Sequence, residues 1–312
     1  MERRFETAVE IEVPFRHVDV MGVVWHGHYF EYFEEARTAL LRSRALDDGE
    51  LIGGRYAFFV IESRCLVCGE CRKACPFAEA VGGEGALPAR NESCTLCASC
   101  VEACPTGARQ MVGREMTVAE VMEEVLRDRI FYEESAGGVT FSGGEPLMQP
   151  AFLRELLDAC RARGLHTAVD TCGFGCTDHL LAIAQRTDLL LYDLKFMDDA
   201  RHREDCGVSN QPIVENLKAL DQIHSQIWIR VPVIPGVNDD EANLAAIARF
   251  VATINGVRQV NLLPYHQTGI QKHRRLGVAY ELATARPPSA AEMEQAAMPF
   301  RAYGLKVKIG GA

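Results

Sequence analysis

The chain has neither a long uninterrupted apolar run nor an excess of basic residues. Its 312 residues include 33 basic and 43 acidic side chains, which gives a formal net charge of −10. Nucleic acids and anionic lipids bind basic surfaces, so this balance argues against both as partners. There is no charged-then-apolar leader and no apolar run that could span a bilayer. We therefore expect a cytoplasmic protein that acts on a protein partner or a small substrate.

Cysteine is absent from residues 1–64 and abundant afterwards, with 12 in all. Eight cysteines form two copies of one spacing, C-x2-C-x2-C-x3-C followed by proline: Cys65, Cys68, Cys71 and Cys75, then Cys94, Cys97, Cys100 and Cys104. In bacterial ferredoxins three thiolates of such a run hold one iron–sulfur cluster and the fourth binds the neighbouring cluster. This crossed pattern predicts two 4Fe–4S clusters, one on Cys65, Cys68, Cys71 and Cys104 and the other on Cys94, Cys97, Cys100 and Cys75.

Zinc sites and disulfides are the alternatives for C-x2-C pairs. Neither explains why the third cysteine, the fourth cysteine and the following proline recur together in both copies. Free thiols at this density also indicate a reducing, low-oxygen compartment.

The chain divides into three segments, which we assign as residues 1–63, 64–107 and 108–312. In the third segment apolar strands alternate with amphipathic helices. Strands are predicted at 139–141, 167–170, 188–193, 227–233, 259–263 and 306–309. Helices are predicted at 117–131, 151–164, 177–185, 214–224, 241–254 and 290–303. This alternation predicts an α/β fold with a parallel sheet, built as a partial (β/α) barrel.

Polar motifs follow the predicted strands, at the carboxyl ends where such folds place their chemistry. The residues concerned are Gly143, Gly144, Glu145, Asp170, Thr171, Asp193, Lys195, Arg230, Asn238 and His266. Each has an ordinary explanation as a turn residue, an exposed ion pair or a satisfied loop histidine. At one edge of one sheet, however, they predict a binding site for a charged ligand of adenosine size.

Six motifs of the chain occur together in one known family, and in the same order. They are SGGEP (142–146), DTCG (170–173), YDLKFMD (192–198), GVSN (207–210), WIRVPVIPGVND (228–239) and LLPYH (262–266). From about residue 64 to 311 the chain resembles the glycyl-radical-enzyme activating enzymes. These are radical S-adenosylmethionine proteins, here of the branch with an inserted two-cluster ferredoxin segment.

The resemblance implies an oxidoreductase that cleaves S-adenosylmethionine to a 5′-deoxyadenosyl radical and removes hydrogen from a glycine of a partner enzyme. It implies that Gly143, Gly144 and Glu145 hold the methionine amine, and that Lys195, Arg230, Asn238 and His266 bind the rest of the molecule. It further implies a monovalent cation at Asp170, Thr171 and Asp193. The two ferredoxin-type clusters would relay electrons from a flavodoxin or ferredoxin-type donor.

The chain departs from the family at its defining C-x3-C-x2-C run, which holds a third, catalytic 4Fe–4S cluster. No cysteine precedes Cys65, and Cys172-x3-Cys176 has no third cysteine three residues later. We interpret Cys172 and Cys176 as buried free thiols rather than partial ligands, because cysteine is a common core residue. A two-cluster electron-transfer protein without S-adenosylmethionine cleavage therefore stays open as an alternative.

Residues 1–63 resemble a different family, the hotdog-fold acyl-CoA thioesterases. The resemblance rests on residues 15–29 and 32–37, and the catalytic carboxylate of that family matches Asp19. It implies an α+β fragment with strands at 7–15 and 56–62, and thioester hydrolysis as a second alternative function. Two strands and one helix bury too little to stand alone, so the segment at 56–63 is also a candidate for the vacant edge of the parallel sheet.

Overall fold

The computed structural model describes residues 58–78, 87, 97–111, 116–142, 145–267, 270, 280, 282 and 284–310. The described residues up to 111, with those from 270 to 284, belong to one compact unit, and the remainder form a second. Three groups of predictions lie outside the described residues: the thioesterase-like fragment up to residue 57 with Asp19, the ligand Cys94, and the pair Gly143 and Gly144.

The described residues of the first unit include a two-stranded antiparallel sheet and two short helices. Strand β1 (Phe58–Val60) pairs with β2 (Arg109–Met111), and helices α1 (Glu70–Lys73) and α2 (Ser99–Glu102) lie between them in the chain. Each helix begins directly after a residue in the left-handed region, Gly69 (φ 77°) and Ala98 (φ 63°). These two residues hold the same place in the two cysteine runs, between the second and third cysteine. The described parts of the runs therefore share one local fold.

The segment at 56–63 does not take the edge of the parallel sheet, so that prediction is wrong for its described part. Phe58 pairs with Met111 and Val60 with Arg109 in β2. The next residue continues the pairing, because the Ile61 N–H donates to the Ala108 carbonyl at 2.7 Å. The backbone of β1 thus finds its partner at the end of the second cysteine run.

The second unit contains a six-stranded sheet in which every neighbouring pair is parallel and the spatial order follows the chain. Its strands are β3 (Gly138–Phe141), β4 (His166–Thr171), β5 (Leu189–Asp193), β6 (Ile227–Val233), β7 (Val257–Pro264) and β8 (Val307–Ile309). The predicted α/β fold with a parallel sheet is confirmed.

The described helices of this unit are α3 (Val118–Arg127), α4 (Arg129–Ser135), α5 (Pro150–Arg161), α6 (Thr177–Ala184), α7 (Asp199–Cys206), α8 (Gln211–Leu220), α9 (Glu241–Val251) and α10 (Ala290–Ala302). Of these, α3 and α4 precede β3 and the other helices lie between successive strands. The single helix predicted at 117–131 is wrong, because the chain leaves helical geometry at Asp128 (ψ 9°) between α3 and α4. No helix in the described ranges has the length and apolar character needed to cross a bilayer.

The strands present two different faces, as residues alternate along each of them. Val169, Tyr192, Ile229 and Val260 are fully buried in the main apolar core with the helices. Their neighbours in sequence point the other way and are largely polar: Asp170, Asp193, Arg230 and Asn261. We call this second face, defined by those four residues, the inner face. It carries the candidate site.

Candidate functional site

Four cysteine thiols line one cavity of the first unit. They belong to Cys65, Cys68, Cys71 and Cys104. This set takes three cysteines from the first run and one from the second. Three cysteines of one run with the fourth cysteine of the other are the ligand set that crossed ligation predicts for one 4Fe–4S cluster.

Several N–H groups point at the cysteine sulfurs. The Leu87 N–H donates to Cys71 Sγ at 3.4 Å, and Arg109 Nε donates to Cys100 Sγ at 3.1 Å. The same Arg109 donates from Nη1 to the Leu87 carbonyl at 2.9 Å. N–H···S bonds stabilise thiolates and tune cluster potential. The spacing of the cysteines predicts neither Leu87 nor Arg109.

The Cys104 thiol is already biased toward its ionised form. Burial would raise its pKa, but hydrogen bonds from the backbone N–H groups of Arg109, Thr106 and Ala108 and from the Thr106 hydroxyl outweigh burial, and the pKa is lowered. A thiolate is the form that binds iron. The donors that lower this pKa follow Cys104 directly in the sequence, so the segment after the second run is adapted to the fourth cysteine.

The second predicted cluster is described for three of its four ligands. Cys100 is buried, Cys75 is half-buried and Cys97 is exposed. Cys75 packs against the small apolar cluster that contains Cys71 and Cys100. The described cysteines of both runs, with N–H groups that donate to some of their sulfurs, therefore fit iron–sulfur clusters.

Glu145 lies at the carboxyl end of β3 and is buried. Its Oε1 accepts from the Thr171 hydroxyl at 2.5 Å and from the Leu147 N–H at 3.1 Å. Its Oε2 accepts from the Cys172 N–H at 2.8 Å and from the Cys172 thiol at 2.9 Å. Burial raises the pKa of Glu145 although all of these donors lower it. Every one of these four donors is neutral, so the carboxylate has hydrogen bonds but no paired cation among them.

Asp170, Asp193 and Arg230 form a buried ion triplet on the inner face. Arg230 Nε donates to Asp193 Oδ1 at 2.8 Å, and Arg230 Nη2 donates to Asp170 Oδ1. Asp193 and Arg230 are in register across β5 and β6. The Ser142 hydroxyl donates to the second Asp170 oxygen at 2.9 Å. Two carboxylates around one guanidinium leave the triplet with a formal charge of −1.

Asn238 and Asn243 fasten the loop that follows β6. Asn238 accepts from the Ile234 N–H at 2.8 Å and donates to the Pro232 carbonyl at 2.6 Å. Asn243 donates to the Lys195 carbonyl at 3.1 Å and to the Asn238 carbonyl at 2.9 Å. The structure thus places Asn238 as a buried residue that ties its loop to the backbone at Lys195. Sequence reasoning missed Asn243, which carries no motif.

The turn after β4 is held by Gly173, the last residue of the DTCG motif, and by Asn216, which sequence reasoning missed. Gly173 has φ 72°, and a Cβ there would lie 1.7 Å from the Tyr192 hydroxyl, so only glycine fits. Asn216 on α8 donates to the carbonyls of Gly173 and Gly175 at 2.7 and 3.0 Å. These contacts fix the position from which Thr171 and Cys172 reach Glu145.

We predicted that Cys172 and Cys176 are buried thiols, and the structure places neither of them among the buried residues. Cys176 is exposed at the start of α6, and Cys172 is half-buried with its thiol on Glu145. Burial is the largest cause that raises the pKa of Cys172, and the nearby Lys195 charge opposes it. His266 lies after β7 and is exposed. No cysteine stands three residues after Cys176, so the spacing of these two cysteines does not match the C-x3-C-x2-C run.

The parallel sheet with its charged carboxyl edge and the cysteine-rich unit define an iron–sulfur enzyme of the α/β class. Residues 91–247 match the family model of the radical SAM superfamily, and residues 58–105 match that of the 4Fe-4S dicluster domain. The chain belongs to the radical SAM superfamily, and its homologues there are glycyl-radical-enzyme activating enzymes.

Two relatives show the extent of the similarity. The trans-4-hydroxy-L-proline dehydratase activating enzyme of Clostridioides difficile is 40% identical over 253 residues, which cover 80% of this chain and 83% of the relative. The choline trimethylamine-lyase activating enzyme of Oleidesulfovibrio alaskensis is 36% identical over 261 residues, covering 82% and 84%. A solved domain of the pyruvate-formate lyase-activating enzyme from Bacteroides vulgatus is 36% identical, covers 56% of this chain and 99% of that one, and superposes with a TM-score of 0.48.

Proposed function

We propose that the chain is a glycyl-radical-enzyme activating protein that binds S-adenosylmethionine on the inner face and two 4Fe–4S clusters in the first unit. The observation that carries the proposal is the combination of the buried carboxyl-edge site with four thiols around one cavity, in a chain homologous to activating enzymes. The chain's relatives make a glycyl radical enzyme the expected partner. A flavodoxin or ferredoxin-type protein is the proposed electron donor.

Bound S-adenosylmethionine would supply the 5′-deoxyadenosyl radical that takes hydrogen from a glycine, once an electron from the donor has broken its sulfur–C5′ bond and methionine has been released. In this chain Glu145 would hold the methionine ammonium, because a buried carboxylate with only neutral donors gains most from a cation. Gly143 and Gly144 would give backbone contacts, while Lys195 and His266 would bind the remainder. Thr171 and Cys172 orient Glu145 for this role.

Arg230 would act by holding Asp170 and Asp193 together. These two carboxylates, with the Thr171 hydroxyl, are also the proposed place for a monovalent cation, since they offer the oxygen ligands that hard cations take. Asn238 would act through the backbone of Lys195, whose carbonyl it contacts at 3.4 Å.

We further propose that cleavage of S-adenosylmethionine is impaired in this chain. The sequence has no C-x3-C-x2-C run. We therefore assign no residue to a third cluster. The thioesterase alternative at Asp19 stays a sequence prediction, outside the described residues.

The test is anaerobic reconstitution with iron and sulfide, followed by three measurements on the same sample. We expect about eight irons per chain, calorimetric binding of S-adenosylmethionine, and no release of 5′-deoxyadenosine under strong reductant. About twelve irons with release of 5′-deoxyadenosine would overturn the impairment. Eight irons without any binding of S-adenosylmethionine would favour the two-cluster electron-transfer protein.

A further inference from the structure

One amide on the inner face keeps a buried donor without a partner. Asn261, in the middle of β7, is 0% exposed, and its Nδ2 makes no hydrogen bond within the described part of the chain. Its Oδ1 accepts from Gln259 Nε2 at 2.7 Å, and Gln259 is also buried. The Gln259 bond thus fixes the orientation of the Asn261 amide through its oxygen, while the Asn261 N–H groups donate to no described protein atom. Buried polar groups in folded proteins nearly always have partners, so this one calls for a ligand or a water.

The register of the sheet places Asn261 beside the ion triplet. Asn261 pairs with Arg230 on β6, and Arg230 pairs with Asp193 on β5. Val260 and Leu262, the sequence neighbours of Asn261, are fully buried in the core on the opposite face. The Asn261 amide therefore belongs to the same face and the same level of the sheet as the triplet.

The chemistry of the neighbours separates Asn261 from the rest of the site. Glu145, the triplet and Lys195 are charged, and charged groups suit the ammonium and carboxylate of the methionine half of S-adenosylmethionine. The ribose and the adenine of the nucleoside half are uncharged. They offer hydroxyl oxygens and ring nitrogens as acceptors. A neutral donor held in a fixed orientation suits those acceptors.

We propose that Asn261, oriented by Gln259, donates a hydrogen bond to the nucleoside half of bound S-adenosylmethionine. This inference rests on the proposed function, because it requires that the ligand occupies the inner face. Gln259 acts as a positioning residue, since its amide contacts Asn261.

The main test is the double variant Gln259→Leu/Asn261→Leu in the reconstituted full chain. We expect S-adenosylmethionine and 5′-methylthioadenosine to bind about five- to tenfold more weakly by calorimetry, since a neutral hydrogen bond is lost. We expect the Tm to be kept or raised, because both partners of the Gln259–Asn261 bond are replaced and the unpartnered donor is removed. The matched control is Asn243→Leu, which should lower Tm because Asn243 donates to two backbone carbonyls.

A second variant, Asn261→Asp, keeps the shape and the acceptor for Gln259, removes the N–H donor and adds a carboxyl group. It should weaken both ligands as well. Unchanged affinity in either folded variant would overturn the inference, and a lowered Tm with unchanged affinity would assign the Asn261 donor to an ordered water only. If the unmodified chain binds 5′-methylthioadenosine but Glu145→Gln weakens only S-adenosylmethionine, the two halves of the ligand are separated as proposed. Failure of the unmodified chain to bind either ligand would instead overturn the proposed function.

Discussion

At the scale of single residues, Glu145 is the position where a substitution best distinguishes an effect on ligand binding from an effect on folding. A carboxylate at 5% exposure is normally paired with a cation, yet the four donors described here are two backbone N–H groups, a hydroxyl and a thiol. Of these, the thiol is the weakest donor. We expect a ligand ammonium to displace the Cys172 thiol first, because the exchange replaces a weak neutral bond with a charge-assisted one.

Glu145→Gln should weaken S-adenosylmethionine binding by at least about tenfold, since a charge-assisted hydrogen bond is worth roughly 1.5–3 kcal/mol. Burial raises the pKa of Glu145, so in the unmodified chain affinity should increase as pH rises through that raised pKa and the carboxylate forms. The stability contribution has the opposite sign: it is full below the unfolded value of 4.5 and is lost as pH rises through the folded pKa. Titration calorimetry for the affinity and scanning calorimetry for the stability, both at a series of pH values above 4.5, check these two expectations.

The control for this experiment is the exposed Glu134→Gln, which should change neither affinity nor its pH dependence. If Glu145→Gln kept the pH dependence of the unmodified chain, another group would be the titrating one and the assignment of Glu145 to the ammonium would be wrong.

At the scale of elements, the sequence predicts what depends on periodicity and misses what depends on distant contacts. The strand at Ile227–Val233 is predicted to the residue, because alternating apolar side chains are bounded by a serine-glutamine turn and a proline-glycine turn. Helix α7 is missed because its residues, DARHREDC, have no apolar stripe, and it is held instead by Asp198 at its start and by Asp199 contacts to Ser209.

The convergence of the candidate-site residues could also be predicted from the strand pattern, whereas their individual contacts could not. Parallel strands bring their carboxyl ends to one edge, so residues that follow strands converge whatever their separation in sequence. The roles of Asn216 and Asn243 were not predictable, since a lone asparagine carries no periodic signal and the partners of these two are backbone groups elsewhere in the chain.

Helix α10 offers a direct test of one element. It begins with a capping box in which the Glu292 N–H donates to the Ser289 hydroxyl at 3.3 Å and the Ser289 N–H donates to Glu292 at 2.7 Å. Ser289→Ala should lower the free energy of unfolding by about 1 kcal/mol, and Ser289→Asp should largely restore it. Urea denaturation of all three forms provides the measurement. Equal loss in both variants would mean that the hydroxyl's donor bond to Glu292, and not the cap, stabilises the helix.

The two cysteine runs allow a second test at this scale. If the cavity of Cys65, Cys68, Cys71 and Cys104 holds a cluster, Cys104→Ala should remove that cluster although Cys104 belongs to the second run. The other cluster should remain, because its predicted ligands are intact. Cys100→Ala is the matched control and should have the reverse effect. Electron paramagnetic resonance of the reduced proteins distinguishes the two; loss of the same signal in both variants would contradict crossed ligation.

At the scale of the whole molecule, the two units are stabilised by different means. The second unit has a large apolar core that includes Leu157, Tyr192, Leu217 and Phe300 at 0% exposure. The described apolar cluster of the cysteine runs consists of Cys71, Leu87 and Cys100, with Cys75 and Val101 packed against it. Three of those five residues are predicted cluster ligands. We infer that the first unit depends on iron in a way that the second does not.

Removal of iron should therefore loosen one unit selectively. A unit whose apolar contacts are made largely by metal-binding thiols loses most of its folding free energy with the metal, as small metal-dependent domains do. After anaerobic chelation we expect fast hydrogen exchange at the amides of β1, β2, α1 and α2, while β4, β5 and β6 keep their protection. Hydrogen exchange with mass spectrometry, before and after reconstitution, makes the comparison within one chain. Protection lost equally from both sets of strands would mean that the molecule unfolds as one cooperative unit, and protection kept in both would mean that the short sheet and helices of the first unit stand without their clusters.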